Sequence, residues 1–267
     1  MKMTSQLPVA TPWFSVTWVT GRTAVLTEPH VNGLLQANAW LLRGRERDLL
    51  VDTGNGIAPL RPVLARFARG AGRGRREVVA FATHAHVDHI GGFHEFEMRL
   101  LHPAETAAAA RAHDLTPLAT ADWPATLKDH LAQCGLVPAP LLVDAVPHLG
   151  FDPATFRITP AEPTHLVEGG DVIDLGGRRL TVVELPGHTR GSVGLIDEEE
   201  SALLSGDAVY DGELIDALDE SDVELYARTM ERVRRLDIEV VYPGHGAPFG
   251  RTRLRELAVA YLRRQSG

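Results

Sequence analysis

Four side chains of the types that bind metal ions stand within six residues of one another: His84, His86, Asp88 and His89. Imidazole nitrogens and carboxylate oxygens are suitable ligands for zinc and similar ions. Alternate side chains of an extended segment share a face, so His84 and His86 can converge on one ion. Asp88 and His89, which follow a turn, can point to a second ion. The spacing therefore predicts a metal site.

Three further candidate ligands, His188, Asp207 and His245, each follow a short apolar stretch and stand beside glycine. Glycine permits tight turns and close approach of the backbone. Any one of these residues alone could be an ordinary surface side chain in a turn. Together with the His84–His89 segment, however, they place ligands of one kind at the ends of four apolar stretches, and this repetition favours a shared metal centre.

Alternating and continuous apolar runs predict the strands that position these residues. The predicted strands lie near residues 14–19, 24–27, 39–42, 49–52, 78–82, 100–101, 172, 180–185, 192–196, 202–204 and 238–241. Helical spacing predicts helices at 59–69, 104–112 and 125–134, one that opens at a capping box of Ser221 and Glu224, and one through 254–262. Strand-rich halves that are each closed by helices predict a sheet-on-sheet core with the helices outside.

Residues 113–163 differ from the rest in composition, because eight prolines interrupt any regular helix or strand pattern there. We interpret 1–267 as a single domain that carries this segment as an insert, and long irregular connections are often lids or binding loops. The large apolar residues of the insert can form either a wall for an acyl substrate or a core of its own. They are Leu136, Val137, Leu141, Leu142, Phe151 and Phe156.

Composition excludes several classes of function. A net charge of −8 argues against nucleic-acid binding. The basic run Arg69–Arg76 is predicted to be a solvated loop at the end of its strand opposite to His84. No apolar run is long enough to span a membrane, and residues 1–10 do not read as a secretory signal. With one cysteine, Cys134, the chain is expected in the cytoplasm.

The order His-x-His-x-Asp-His, Gly-His-Thr, Gly-Asp and Gly-His resembles the metallo-β-lactamase superfamily over residues 13–262. Asp52, in Leu-Val-Asp-Thr-Gly, matches a further motif of that superfamily. The resemblance implies an α+β fold, an αβ/βα four-layer sandwich, with two zinc ions; iron or manganese are the alternative metals. It implies one ion held by His84, His86 and His188, a second held by Asp88, His89 and His245, Asp207 as the bridge between them, and Asp52 as the group that orients a ligand.

Such a centre implies hydrolysis. Two cations beside one water lower its pKa to about 7, which provides a hydroxide for attack on an acyl carbonyl. Asp88 is expected both to bind metal and to carry a proton. Tyr210 stands where homoserine lactone lactonases of the superfamily have a tyrosine, and its phenol can donate to the developing oxyanion. Packing of the ring in the core is the alternative for Tyr210.

Stretches that extend beyond the ligands resemble the acyl-coenzyme A thioesterases of the superfamily; they are residues 37–44, 170–176, 186–192, 205–212 and 214–216. We therefore expect a small-molecule acyl substrate, most simply a thioester, and Arg190 is a candidate to bind an anionic group of it. A lactonase of the homoserine lactone type and a promiscuous β-lactamase are the enzyme alternatives. A metal-binding module without catalysis is the alternative from another class, and the intact ligand set argues against it.

Overall fold

Two sheets, one of seven strands and one of six, contain the strands of the described residues. The computed structural model describes residues 7–67, 76–112, 118–133 and 135–265. The first sheet follows the chain order and comprises β1 (Ser15–Trp18), β2 (Thr23–Thr27), β3 (Ala39–Arg43), β4 (Arg47–Val51), β5 (Glu77–Phe81), β6 (Arg99–Leu101) and β7 (His165–Leu166). The second sheet comprises β8 (Val172–Asp174), β9 (Arg179–Glu184), β10 (Val193–Asp197), β11 (Ala202–Gly206), β12 (Val240–Pro243) and β13 (Phe249–Gly250).

Alternate residues of the central strands face two different apolar cores, as the period of two in a strand requires. In β3, Trp40 and Leu42 pack between the two sheets, whereas Leu41 packs on the outer side of the first sheet. In β11, Leu204 faces the core between the sheets and Leu203 faces the opposite side. Because both faces of each sheet are apolar, each sheet needs a helical layer outside it.

Helices provide these two outer layers. Leu64, Ile90, Ala109 and Leu131 pack into the core outside the first sheet; they belong to α1 (Arg61–Leu64), α2 (Val87–Ile90), α3 (Thr106–Ala110) and α4 (Ala125–Gln133). Outside the second sheet lie α5 (Val223–Val233) and α6 (Arg251–Gln265). Single 3₁₀ turns cover Phe93–Glu95, Pro103–Glu105 and Thr120–Asp122. The predicted α+β class and αβ/βα four-layer sandwich are confirmed.

Some predicted boundaries differ from those observed. The capping box at Ser221 is wrong by one residue: Asp222 is the N-cap of α5, and its carboxylate accepts from the backbone N–H of Leu225. The hydroxyl of Ser221 instead donates to the carbonyl oxygen of His188, 2.8 Å away. The first predicted helix is reduced to the single turn α1. Residues 68–75, which carry most of the basic run, and Cys134 lie outside the described residues.

The described part of the insert belongs to the outer layer of the first sheet. Isolated bridges pair Val143 with Val31 and Val146 with Val9. Leu142 is fully buried in the core outside the first sheet. A lid function for the insert stays a prediction, as does the interpretation of the chain as one domain. Among the described residues, no helix combines the length and apolar character needed to cross a bilayer.

Arg178, in the turn between β8 and β9, is a buried cation that joins the two sheets. Its Nε donates to Oδ2 of Asp197 at 2.9 Å, and its other nitrogens donate to the carbonyl oxygen of Arg22 and the hydroxyl of Thr23. Neither charged side chain of the Arg178–Asp197 pair is exposed. Arg22 and Thr23 lie in and beside β2, so this network fastens the second sheet to the first.

Replacing Arg178 with methionine is expected to lower the free energy of unfolding by about 3–5 kcal/mol, because it leaves the Asp197 carboxylate buried without its partner. Urea denaturation followed by circular dichroism measures this change. The control is Arg235→Met, which removes an ion pair with Glu231 from a side chain that is 70% exposed and is expected to cost less than about 0.5 kcal/mol. Equal losses in the two variants would contradict a joining role for Arg178.

Candidate metal centre

The seven predicted metal-ligand side chains lie together at one edge of the sandwich. Each is carried by the loop or helix that follows a strand: His84, His86, Asp88 and His89 after β5, His188 after β9, Asp207 after β11 and His245 after β12. The second sheet thus contributes three side chains and the first sheet four. Their ligand atoms fall into three overlapping groups, and within each group all the atoms lie within 4.8 Å of one another.

One group consists of three histidines. Nδ1 of His86 lies 3.0 Å from Nε2 of His84 and 2.9 Å from Nε2 of His188. In a tetrahedral site with metal–nitrogen bonds of about 2.0–2.1 Å, two ligand nitrogens are about 3.3 Å apart. The three nitrogens therefore converge at close to the spacing that a single metal ion requires.

The other two groups share a buried carboxylate-rich region. Oδ2 of Asp88 lies 3.3 Å from Nε2 of His245 and 3.6 Å from Nε2 of His89. Asp207 stands between the groups: its Oδ1 is 3.2 Å from Nε2 of His89, and its Oδ2 is 3.3 Å from Nε2 of His245 and 3.7 Å from Nε2 of His188. The carboxylate of Asp207 therefore lies within 3.7 Å of a histidine nitrogen from each of the three groups.

Two atoms at the centre of this region are buried and lack a hydrogen-bond partner among the described residues: Nε2 of His89 and Oδ1 of Asp207. Buried polar atoms without partners are rare, since each costs about 1–3 kcal/mol. An imidazole nitrogen and a carboxylate oxygen that face each other can both be satisfied by one cation. The donor set therefore fits divalent metal ions.

Each of four histidines in the cluster uses its outer ring nitrogen to donate to a neighbouring oxygen, which directs the inner nitrogen into the cluster. The donor–acceptor pairs are His84 Nδ1 with Thr83 Oγ1 (3.0 Å), His86 Nε2 with Glu220 Oε1 (2.8 Å), His89 Nδ1 with Asp52 Oδ2 (2.8 Å) and His188 Nδ1 with the Ile215 carbonyl (2.9 Å). The inner nitrogens all belong to the groups defined above.

Burial and the neighbouring imidazoles keep two of the histidines neutral. Burial, together with His86, lowers the pKa of His188 to about 4 against the opposing effect of Asp207. Burial, with His89 and His86, likewise holds the pKa of His84 well below its ordinary value. Neutral imidazole is the form that binds a metal ion.

The carboxylate of Asp207, in contrast, remains charged. Burial alone would raise the pKa of Asp207, but His245 and His89 outweigh it and hold that pKa well below its ordinary value. Burial would lower the pKa of His89, yet Asp207, Asp88 and Asp52 raise it well above the ordinary value. The negative field of these carboxylates favours positive charge at this position.

Two acidic residues that the motifs did not indicate support the cluster. Glu220 accepts from His86, from which it is separated by 134 residues, so no local spacing could reveal it. Glu105 is buried and accepts from the backbone N–H groups of Ala85 and Gly191 and from the hydroxyl of Thr189. It thereby connects the loops that carry His84 and His188. The sequence contained an indication that Glu105 is buried, because it stands four and seven residues before Ala109 and Ala112, which are buried on the same side of the segment.

Tyr210 and Arg190 differ in their relation to the cluster. The ring centroid of Tyr210 lies 5.7 Å from that of His245, and its hydroxyl donates to the carbonyl oxygen of Glu213 at 2.5 Å. The side chain of Arg190 is 68% exposed, and its Nε lies 3.9 Å from Oδ2 of Asp222. The structure therefore brings Tyr210 to the cluster but not Arg190.

A cavity of about 690 Å³ opens beside the cluster. Its volume is within the roughly 300–1,000 Å³ that is typical of small-molecule sites. His86, Asp88, His188, Asp207 and His245 form part of its wall. Most of the other described lining residues are apolar and come from α3, α4 and the loops near residues 34 and 136.

The profile of the metallo-beta-lactamase superfamily matches residues 32–245. The chain belongs to this superfamily. Within it, the chain is 41% identical over 234 residues to the acyl-coenzyme A thioesterase MBLAC2 of Gallus gallus. The matched region covers 85% of this chain and 78% of the relative. The Homo sapiens protein of the same name is 39% identical over 237 residues, covering 85% and 79%. These findings confirm the resemblance seen in the motifs.

Solved structures agree at the level of the superfamily fold. A metallo-beta-lactamase family protein from Thermus thermophilus superposes with a TM-score of 0.66 at 24% identity, covering 93% of this chain and 81% of that protein. At this identity the likeness supports the four-layer fold alone.

Replacing Asp52 with asparagine is expected to lower the affinity for a divalent metal about 10–100-fold, because a side-chain amide nitrogen cannot accept from Nδ1 of His89 and the ring loses its orientation. Zinc titration in competition with a chelating dye measures the affinity. Asp48→Asn is the matched control: Asp48 is also buried and accepts from Arg76, but it lies at the opposite end of β4. Unchanged affinity in Asp52→Asn would show that Asp52 does not orient the site.

Proposed function

We propose that this chain is a metal-dependent hydrolase of acyl-coenzyme A thioesters that holds two divalent ions, with zinc the first candidate. The observation that carries the proposal is an apolar cavity that opens directly on a cluster of metal-ligand side chains. The relatives that match 85% of the chain are named acyl-coenzyme A thioesterases, and this supports the choice of substrate class.

In this proposal each ion has its own set of side chains. His84, His86 and His188 would hold one ion, Asp88, His89 and His245 would hold the other, and Asp207 would contact both. Bound there, the two ions would supply Lewis acidity that lowers the pKa of a water molecule to about 7 and polarises a carbonyl oxygen.

The chain's own residues would then move protons and stabilise charge. Burial alone would raise the pKa of Asp88, but His89 and the hydrogen bond from His245 outweigh it and lower that pKa, so the carboxylate is charged and can accept a proton from the attacking water. Burial raises the pKa of Tyr210, so its phenol stays protonated and can donate to a developing oxyanion. For this, the phenol must exchange its present acceptor, the Glu213 carbonyl.

Thioester hydrolysis suits these groups. The water oxygen forms a bond to the carbonyl carbon, the carbon–sulfur bond breaks, and the sulfur leaves with the electron pair of that bond. The proton taken from water ends on the thiolate or in solution, and the products are a carboxylic acid and a thiol. A thiolate is a good leaving group, so no strong general acid is needed.

We expect metal-loaded enzyme to hydrolyse acyl-coenzyme A esters with kcat/KM at least about tenfold above that for homoserine lactones, and chelated enzyme to hydrolyse neither. Release of free thiol, detected with a thiol reagent, measures the first reaction, and acid release detected with a pH indicator measures the second. Preference for lactones would transfer the assignment to the second candidate, a lactonase, which Tyr210 favours. Absence of turnover on any ester would favour a metal-binding module.

Tyr210→Phe is expected to lower kcat on the preferred substrate at least about tenfold, because one donor to the oxyanion is lost. Metal content, measured by mass spectrometry, should stay the same, since the Tyr210 hydroxyl belongs to none of the ligand groups. Tyr242→Phe is the matched control, because its hydroxyl donates to Glu200 and Tyr242 does not line the cavity. Full activity in Tyr210→Phe would leave the ring with a packing role alone.

A further inference from the structure

The cavity beside the cluster has one wall that contains no metal-ligand side chain. Leu127 and Leu131 of α4 line it, together with Trp123 before the helix and Leu136 and Val137 after it. Trp123 is 9% exposed and Leu131 2% exposed, so they are buried residues that nevertheless border open space. The wall therefore consists of large apolar side chains from the insert.

Leu127 and Leu131 are the only large apolar residues of α4, and both face the cavity. Four residues apart, they share one side of the helix. Because the whole apolar side of α4 borders the cavity, the helix provides a continuous apolar surface there.

The charge of the described lining disfavours a nucleotide in this space. Among the described lining residues, Arg111 is the single lysine or arginine, whereas Glu213 and Glu220 add negative charge to that of the cluster. The phosphate groups of a coenzyme A ester are bound best by several cationic side chains, and the described lining offers one. The nucleotide end is therefore expected outside, and the apolar end of such a substrate within.

We propose that the cavity binds the acyl chain of the substrate, and that Leu127 and Leu131 of α4 determine the chain length that is accepted. The inference rests on the proposed thioesterase function for its substrate, but the tail site itself can be tested without turnover. A methylene group transferred from water to such a wall gains up to about fourfold in affinity, equal to about 0.8 kcal/mol.

Chain-length selectivity of a filled cavity tests the proposal. In Leu127→Trp, the ratio of kcat/KM for hexadecanoyl-coenzyme A to that for butanoyl-coenzyme A is expected to fall at least about tenfold, because the indole occupies the space of several methylenes. Thr126→Trp is the matched control, since Thr126 is exposed on the same helix and does not line the cavity; its ratio should equal that of the unmodified protein. An unchanged ratio in Leu127→Trp, or an equal loss for both substrates with the helix content retained, overturns the proposal.

A binding measurement on the unmodified, metal-loaded protein decides the question independently. Saturated fatty acids from four to sixteen carbons are titrated while the fluorescence of the tryptophans, which include Trp123, is recorded. Affinity that rises with each added pair of methylenes supports the tail site, and affinity that does not depend on chain length overturns it. If no acyl-coenzyme A is hydrolysed but fatty acids bind with this dependence, the proposed function fails while the tail site stands.

Discussion

One carboxylate, that of Asp52, connects two candidate ligands of the cluster, His89 and His84. Its Oδ2 accepts directly from His89, and it also accepts from the hydroxyl of Thr83, whose oxygen in turn lies 3.0 Å from Nδ1 of His84. Its Oδ1 accepts from the backbone N–H of Thr83, which holds the ends of β4 and β5 together. Asp52 adopts a φ of 62°, a conformation that costs an L-residue roughly 1–2 kcal/mol. The bonds that this geometry allows offset that cost.

For the candidate ligands to converge, the loops at this edge of the two sheets must also be held in fixed positions relative to each other. Asn38, next to β3, donates to the carbonyl oxygens of Pro243 and Gly246 on either side of His245, and Trp40 donates to Pro243 as well. These bonds attach the His245 loop of the second sheet to the first sheet. Glu105 does the same for the loops of His84 and His188. Apolar packing between the sheets brings the loops near, but directional bonds set the ångström-scale spacing that metal ligands need.

The sequence predicted the layers and indicated the candidate ligands because both depend on local patterns. Each candidate ligand follows an apolar run and stands near glycine, and a strand period of two identifies the faces. Glu220 and Arg178 were out of reach, because each acts on residues more than 130 positions away, at His86 and Arg22. The insert was ambiguous for a related reason: the same apolar residues suit a wall or a core. The structure divides them, with Leu136 and Val137 at the cavity and Leu142 in the core.

Charge balance links the cluster to the kind of reaction it can favour. Asp52, Asp88 and Asp207 place three carboxyl groups in a buried region, where an uncompensated charge is costly. Under the proposed function, two divalent ions would offset the negative charge of these carboxylates. The ions would lie beside an apolar cavity, where low polarity strengthens electrostatic attraction. A neutral carbonyl gains little from it in the ground state, whereas the oxyanion formed on attack gains much more, and such a difference between the two states is what lowers an activation barrier.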